Sequence, residues 1–242
     1  MKKTSSKIIA GIVLLLAIFV LAAGIYVNDY YHSDDTVNVY LSGAEGVQVT
    51  QIADGLWING EGEETALIFY PGAKVEYTAY LPLLIELAQQ GVDSFLIKMP
   101  GNLAFLGMNK ADDIIQQYAS YEHWYMAGHS LGGAMAAAYA SEHIEQLDGL
   151  VLLAAYPTKS LASDTFKVVS VYGSEDGVLN MDKVEEGRQW MPAHYTEVCI
   201  EGGNHGQFGS YGVQKGDGEA LIDAKEQRDQ TIEAIIKMIE LF

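Results

Sequence analysis

Twenty consecutive positions, 8–27, carry no charge, and every one of them is apolar or small. A helix of that length spans about 30 Å, the thickness of a bilayer's hydrocarbon core. Lys2, Lys3 and Lys7 precede the run, and Asp29, Asp34 and Asp35 follow it. The lysine bias orients such a helix with its N-terminal end inside. Leu21-Ala22-Ala23 would also serve as a signal-peptidase site, so a cleaved secretory leader is the alternative. The run is longer than a usual leader core and continues through Ile25, Tyr26 and Val27, which favours an uncleaved anchor. No cysteine directly follows it, which excludes a lipoprotein anchor. On either reading the remainder of the chain is exported.

Past residue 27 the pattern changes to short apolar runs divided by polar, glycine-bearing segments. Residues 28–46 read as a linker ending in an alternating run, Val37 to Leu41, expected to form the first edge strand. Residues 47–52 and 56–58 flank Asp54-Gly55 as a strand or hairpin. Residues 65–70 are apolar without interruption, as in a strand buried on both faces. Further strands are expected at 94–98, 150–155, 168–172 and 195–200. Helices are expected at 79–90, 110–118, 181–189 and 220–241, with a small-residue helix starting near Ala134. Gly91 suits the C-cap of the first, and Asp112 and Asp113 favour the first turn of the second. Ile222, Ile232, Ile235, Ile236 and Ile239 give the last one a buried stripe. The resulting division is 1–7 as a cytoplasmic stub, 8–27 as a transmembrane signal anchor, 28–46 as linker and first edge strand, and 47–242 as one α/β domain.

Charge narrows the partners. The chain carries −18, and removing Lys2, Lys3 and Lys7 leaves 11 basic against 32 acidic residues, or −21 on the exported part. Nucleic acid and anionic lipid surfaces would repel such a domain. The single cysteine, Cys199, allows no intrachain disulfide, and its place in an expected strand reads as that of a small core residue rather than a reactive thiol. A hydrophobic fraction of 49% over 242 residues suffices for one sizeable core.

The chemistry concentrates at Tyr125-Met126-Ala127-Gly128-His129-Ser130-Leu131-Gly132-Gly133. A strand runs into a sharp turn with a serine at its apex, and a helix follows. Gly128 and Gly132 are the small neighbours such a strained turn needs. The turn sets the serine oxygen at a helix N-terminus, where N–H groups face developing negative charge. A nucleophilic serine needs a base, and the base needs an acid to fix its tautomer. Downstream, the strand at 168–172 runs into Gly173-Ser174-Glu175-Asp176-Gly177, and the strand at 195–200 ends in Glu201-Gly202-Gly203-Asn204-His205-Gly206. Serine, acid and histidine thus all stand just past the C-terminal ends of strands, where open α/β sheets gather their chemistry.

Among the six histidines, His32 is in the linker, His123 and His143 are at element ends, and His194 opens a strand. His129 adjoins Ser130, but neighbours on such a turn point apart, so it reads as a packing residue. His205 is left as the base, with flanking glycines that let its ring swing over the site. Asp176 is preferred over Glu175 as the acid, with Asp148 and Asp182 as outsiders. No His or Cys cluster has zinc spacing, and no phosphate-binding glycine loop occurs. The Gly216-Asp217-Gly218 stretch lacks the full carboxylate spacing of a calcium loop.

With these residues in place, the sequence resembles the α/β-hydrolase family, and in particular its small dienelactone-hydrolase-like members. The resemblance covers roughly 37–242 and rests on Tyr70-Pro71-Gly72-Ala73, the Ser130 elbow, the Asp176 turn and the His205 loop. It implies a doubly wound, mostly parallel sheet and a Ser130–His205–Asp176 triad. It also implies an oxyanion hole from the backbone N–H groups of Ala73 (or Lys74) and Leu131. Pro71 stands where the family commonly has histidine. Backbone rather than side chain donates there, so the role survives the change. Residues 158–166 leave no room for the cap domain often inserted at that point. The pocket is expected to be shallow and walled by Phe105, Tyr156, Phe208 or Tyr211. The expected activity is hydrolysis of an ester, thioester or lactone, with a small acyl compound as substrate and no cofactor or metal. Amide hydrolysis or acyl transfer would use the same residues, and a non-catalytic binding module could keep the same fold.

Overall fold

In the computed structural model the described backbone runs from residue 2 to residue 240, and side chains are described from residue 11 onward. The chain divides into two units, one ending at Tyr30 and the other beginning at Tyr31. The first is built on a single helix, α1 (Lys2–Asn28). Its Gly11–Asn28 stretch has a mean hydropathy of 2.4 and none of it is buried. A helix apolar on every side gains nothing from water, and its length and composition suffice to cross a membrane. At its end Asn28 Nδ2 donates to the Gly24 carbonyl at 2.8 Å, and the Asp29 N–H donates to the Ile25 carbonyl at 3.1 Å, which satisfies one of the acceptors left without an intrahelical partner.

The second unit is organised on an eight-stranded sheet. Its strands are β1 (Gln48–Ile52), β2 (Gly55–Asn59), β3 (Thr65–Tyr70), β4 (Asp93–Ile97), β5 (His123–His129), β6 (Gly149–Leu153), β7 (Lys167–Gly173) and β8 (His194–Ile200). The spatial order is β1-β2-β4-β3-β5-β6-β7-β8. β1 and β2 pair antiparallel, β2 pairs antiparallel with β4, and every later pairing is parallel. Side chains alternate between two cores. Leu67, Phe69, Tyr125, Ala127, Val151 and Leu153 face one, and Ala66, Ile68, Tyr70, Met126, Leu150 and Leu152 face the other. This two-sided burial is why the strands read as continuous apolar runs rather than as alternating ones.

Helices cover both faces. On the first lie α2 (Leu81–Ala88) and α6 (Ala224–Ile239), through residues such as Leu84, Leu87, Ile235 and Met238. On the second lie α3 (Lys110–Gln117) and α4 (Leu131–Glu142), through Ala111, Ile114, Ala136 and Tyr139. A short α5 (Met181–Gly187) precedes β8. β3 has β4 on one side and β5 on the other, so the strand order reverses there. In open α/β sheets such a reversal leaves a crevice beyond the C-terminal strand ends. The segment 154–166, between β6 and β7, contains no helix.

Cys199, expected as a core residue, is exposed on β8, because that outermost strand of the sheet has few buried positions. Several boundaries also differ from the sequence expectation. The run expected as the first edge strand is a 3-10 helix, Asp35–Tyr40, started by Asp34, whose carboxylate accepts from the Thr36 N–H; Val37 is its buried residue. Residues 31–34 are not a free linker. The Tyr31 N–H donates to the Lys74 carbonyl at 2.7 Å, the Glu76 N–H to the Tyr31 carbonyl at 2.8 Å, and the Asp34 N–H to the Ser210 carbonyl at 2.9 Å. The 79–90 helix begins as a 3-10 turn, Tyr77–Tyr80, before α2. The last helix starts at Ala224 rather than Ala220, because Asp223 caps it by accepting from the Glu226 N–H at 2.8 Å. Its expected end at Leu241 lies outside the described residues.

Candidate active site

Ser130 occupies the junction between β5 and α4 with φ 52° and ψ −123°, outside the regions open to most L-residues. Its N–H donates to the Leu153 carbonyl at 2.9 Å, and its carbonyl accepts from the Ala134 N–H at 3.1 Å, which ties the strained residue to β6 and to α4. The flanking glycines are there for close approach. A Cβ on Gly128 would stand 2.5 Å from the Gly132 carbonyl carbon, and one on Gly132 would stand 2.1 Å from the Tyr70 oxygen and 2.3 Å from the Pro71 oxygen. The second contact joins the elbow to the loop after β3, as the Tyr70–Gly128 register requires.

That loop turns at Lys74, which has φ 56°. The Lys74 N–H donates to the Asn102 carbonyl at 2.8 Å, and the Gly72 N–H donates to Tyr80 Oη at 3.0 Å. The Ala73 N–H meets no acceptor among the described residues. Leu131, the first residue of α4, has no intrahelical acceptor for its own N–H either. Of the two candidate donors in this loop, Ala73 is therefore the one with a free N–H.

His205, beyond β8, and Asp176, beyond β7, meet at Nδ1 and Oδ2 with 2.9 Å between them, and each side chain is 1% exposed. The other carboxylate oxygen of Asp176 accepts from the N–H groups of Val178 (2.8 Å) and Leu179 (2.7 Å). Both carboxylate oxygens are thus engaged, by two backbone N–H groups and the imidazole. Glu175 instead accepts from the Ser174 hydroxyl at 3.0 Å. A carboxylate on Nδ1 holds the proton there and leaves Nε2 as the basic nitrogen. Nε2 is buried and makes no hydrogen bond, so the Ser130 hydroxyl does not reach it in this conformation. Contacts of this kind commonly tighten only when substrate is bound.

Ser130 and His205 line one cavity of about 230 Å³. Leu131, Ala134, Ala154, Ala155, Tyr156, Val178, Leu179 and Asn180 complete it. Of the four expected wall residues only Tyr156 is among them. Phe105 is 54% exposed on a 3-10 turn, Ala104–Leu106. Phe208 and Tyr211 are buried beside His129, at ring distances of 5.7 and 6.4 Å. The aromatic residues after His205 thus pack behind the site instead of facing substrate. Small neighbours line the cavity because α4 and the end of β6 approach the elbow closely.

His129 is wholly buried, with Nδ1 2.8 Å from Tyr80 Oη. Since Tyr80 Oη accepts from Gly72, its own proton goes to His129 Nδ1. Burial and then the nearby His205 ring, 4.5 Å away, hold the His129 imidazole well below its ordinary value, so it stays neutral. Sequence reading missed Tyr80 and also Asp217, whose carboxylate touches both the acid turn and the histidine loop. A glycine on each side of Asp217 was the available signal, since Asp between glycines commonly binds backbone N–H groups in turns. Among the described residues no group of three His, Cys, Asp or Glu is placed to hold a metal ion.

A family model described as "Alpha/beta hydrolase family" matches residues 66–229. Among solved structures, TT1662 from Thermus thermophilus aligns with a TM-score of 0.59 at 12% identity, over 81% of this chain and 99% of its own. Dienelactone hydrolase from Anabaena variabilis aligns with a TM-score of 0.58 at 14% identity, over 80% of this chain and 99% of its own. Est1E from Butyrivibrio proteoclasticus, with ferulic acid bound, aligns with a TM-score of 0.58 at 13% identity, over 82% and 98%. At these identities the likeness is one of fold. No curated protein matches the chain.

Proposed function

Since the chain belongs to the alpha/beta hydrolase family, we propose that it is a serine hydrolase cleaving a carboxylic ester, thioester or lactone. The observation that carries this reading is the single cavity shared by Ser130 and His205, with Asp176 bonded to the far nitrogen of that histidine. Ser130 Oγ attacks the carbonyl carbon while His205 Nε2 takes its proton. The carbonyl oxygen becomes an oxyanion facing the free N–H groups of Ala73 and Leu131. The intermediate collapses to an acyl-serine, and the alcohol or thiol leaves with the proton from His205. Water, deprotonated by His205, then releases the acid and restores Ser130. Asp176 orients the ring throughout.

Covalent labelling by a fluorophosphonate probe tests the assignment. Wild-type protein should label and Ser130→Ala should not, with the fold unchanged because the serine is partly exposed on the cavity and the change removes only its oxygen. An inert wild type would instead favour a non-catalytic binding module. Paired ester and amide substrates of one acid separate esterase from amidase, and an added alcohol acceptor reveals acyl transfer.

On this reading α1 anchors the domain to the outer face of a cytoplasmic membrane, with residues 1–7 inside. Protease added to intact, wall-stripped cells should release a fragment cut before Tyr31, because residues 31–34 are tied into the domain. Protection of the domain reverses the orientation. Soluble protein beginning near Gly24 instead marks a cleaved leader.

A further inference from the structure

The Asp176 turn and the His205 loop leave different strands, β7 and β8, yet one side chain joins them. Asp217 Oδ1 accepts from the N–H groups of Gly177 (3.1 Å), His205 (3.2 Å) and Gly218 (2.9 Å), and Oδ2 accepts from the Gly206 N–H (2.7 Å). One carboxylate therefore holds the backbone of the histidine, of its successor, and of the residue after the acid.

The surrounding backbone leaves the carboxylate little freedom. A Cβ on Gly177 would stand 2.7 Å from the Gly216 oxygen, and one on Gly218 would stand 2.0 Å from the Glu175 oxygen. The 216–218 segment is thus pressed onto the acid turn. On the histidine side Asn204 Nδ2 donates to the Gly218 carbonyl at 2.9 Å, and buried Gln227 holds the Asn204 N–H and carbonyl at 2.9 and 2.8 Å. The charge of Asp217 meets backbone N–H dipoles, a concave anion-holding arrangement.

Resting on the serine-hydrolase reading, we propose that Asp217 is a positioning residue that sets His205 against both Asp176 and Ser130. Its backbone bonds to His205 and Gly206 fix where the ring leaves the loop, and its bond to Gly177 fixes where the acid leaves its turn. Nε2 and Ser130 Oγ do not touch in the resting site, so small errors in ring placement act directly on proton transfer. A displacement of about 1 Å at a reacting group costs on the order of 10²-fold in rate.

The test compares Asp217→Ala and Asp217→Asn with wild type on a nitrophenyl ester, alone and in a His205→Ala background. Asp217→Asn is isosteric and keeps one acceptor oxygen, but its NH2 replaces an acceptor needed by one of the N–H groups. It carries the test if the alanine variant does not fold. We expect kcat to fall about 100-fold in Asp217→Ala and about 10-fold in Asp217→Asn, with KM within about twofold of wild type. In the His205→Ala background Asp217→Asn should change the residual rate by less than about twofold, because its effect runs through the ring. An equal loss in both backgrounds overturns the proposal and makes Asp217 a general scaffold residue. So does a reactive wild type whose Asp217→Asn variant keeps full kcat. A wild type inert to both ester and fluorophosphonate overturns the hydrolase reading and this inference with it.

Discussion

At the end of β5 backbone rests directly on backbone. Ser130 is tied to the Leu153 carbonyl, and Gly132 lies so close to the Tyr70 and Pro71 oxygens that no Cβ fits between them. At the ends of β7 and β8 backbone also meets backbone, as where Gly218 abuts the Glu175 oxygen, but there side chains add a second set of ties, with Asp176 accepting from Val178 and Leu179 and Asp217 accepting from four N–H groups across two loops. The two regions meet in one cavity but fail differently. A backbone-packed turn has no slack, so one added methyl must move a strand end. A side-chain staple can weaken by steps, losing one hydrogen bond while the fold survives. Perturbing each region separately should therefore give lost activity with a sound fold on one side and coupled loss of both on the other.

The largest effect is expected on the side-chain-held side. On the proposed mechanism His205→Ala should lower kcat/KM about 10³-fold or more, since a base and its nucleophile act as a unit. Asp176→Asn should approach the same loss, because its amide would offer N–H toward Nδ1 and favour the tautomer protonated at Nε2. Both variants should keep the wild-type circular dichroism spectrum. Steady-state kinetics on a nitrophenyl ester decides the matter, and full activity in either variant refutes the assigned role. A dead Glu175→Gln beside an active Asp176→Asn would transfer the acid's role to Glu175.

Gly132→Ala should differ in kind. Its Cβ must displace the Tyr70 and Pro71 carbonyls, and overpacking of this sort costs about 1–3 kcal/mol or more. Those carbonyls begin the loop that carries Ala73, so stability and probe labelling should fall together. Gly91→Ala is the control. Gly91 has φ 84° and nothing within 4 Å, so only backbone strain of about 1–2 kcal/mol applies, with activity per folded molecule unchanged. Urea unfolding and probe labelling of both variants would settle it, and a stable, inactive Gly132→Ala would contradict the coupling.

The same contrast governs what could be read from the sequence. Ser130 was legible because the glycines that permit the turn are adjacent in the chain and leave a fixed local signature. His205 and Asp176 were legible through their places past strand ends. The alternating run at Val37 to Leu41 misled, since the Asp34 cap and the burial of Val37 alone turn it into a 3-10 helix. The aromatic pocket walls misled for another reason. Phe208 and Tyr211 have the composition of a pocket lining, but only tertiary packing shows that they face His129. Asp217 was passed over because its partners are backbone N–H groups, which have no residue type to search for. Tyr80, 49 residues before His129, is joined to it by a fold-level contact of the same silent kind.

His129 lies where the two regions touch and should give a pH signature of moderate size. Its folded-state value is depressed below 6.5, chiefly by burial. Between the folded value and 6.5 the unfolded chain binds a proton that the native state refuses, so the stability is fully present above pH 6.5 and is lost as pH falls below it. In His129→Gln this contribution is absent. The stability difference between wild type and variant should shift against wild type by about 1 kcal/mol between pH 6.5 and 5.5. Parallel denaturant titrations would show it. A difference independent of pH would mean that His129 ionises in the folded protein as freely as in the unfolded one.

The smallest effect expected is graded and concerns acyl length. The cavity beside Ser130 holds about 230 Å³, with Ala134, Ala154 and Ala155 among its lining and no helical insertion between β6 and β7 to extend it. Long acyl chains would have to lie outside it in water, gaining none of the roughly 0.8 kcal/mol per buried methylene that a deep pocket returns. A charge of −21 on the chain beyond residue 27 also disfavours an anionic lipid interface. In a series of nitrophenyl esters, kcat/KM should be highest for short acyl groups and fall by about 10-fold or more toward octanoate. The rate should not jump when substrate passes its solubility limit. A maximum at long chains, or activation by micelles, would show that the apolar side chains exposed near the opening, Val178 among them, receive lipid, and would place the acyl site outside the cavity that Ser130 and His205 share.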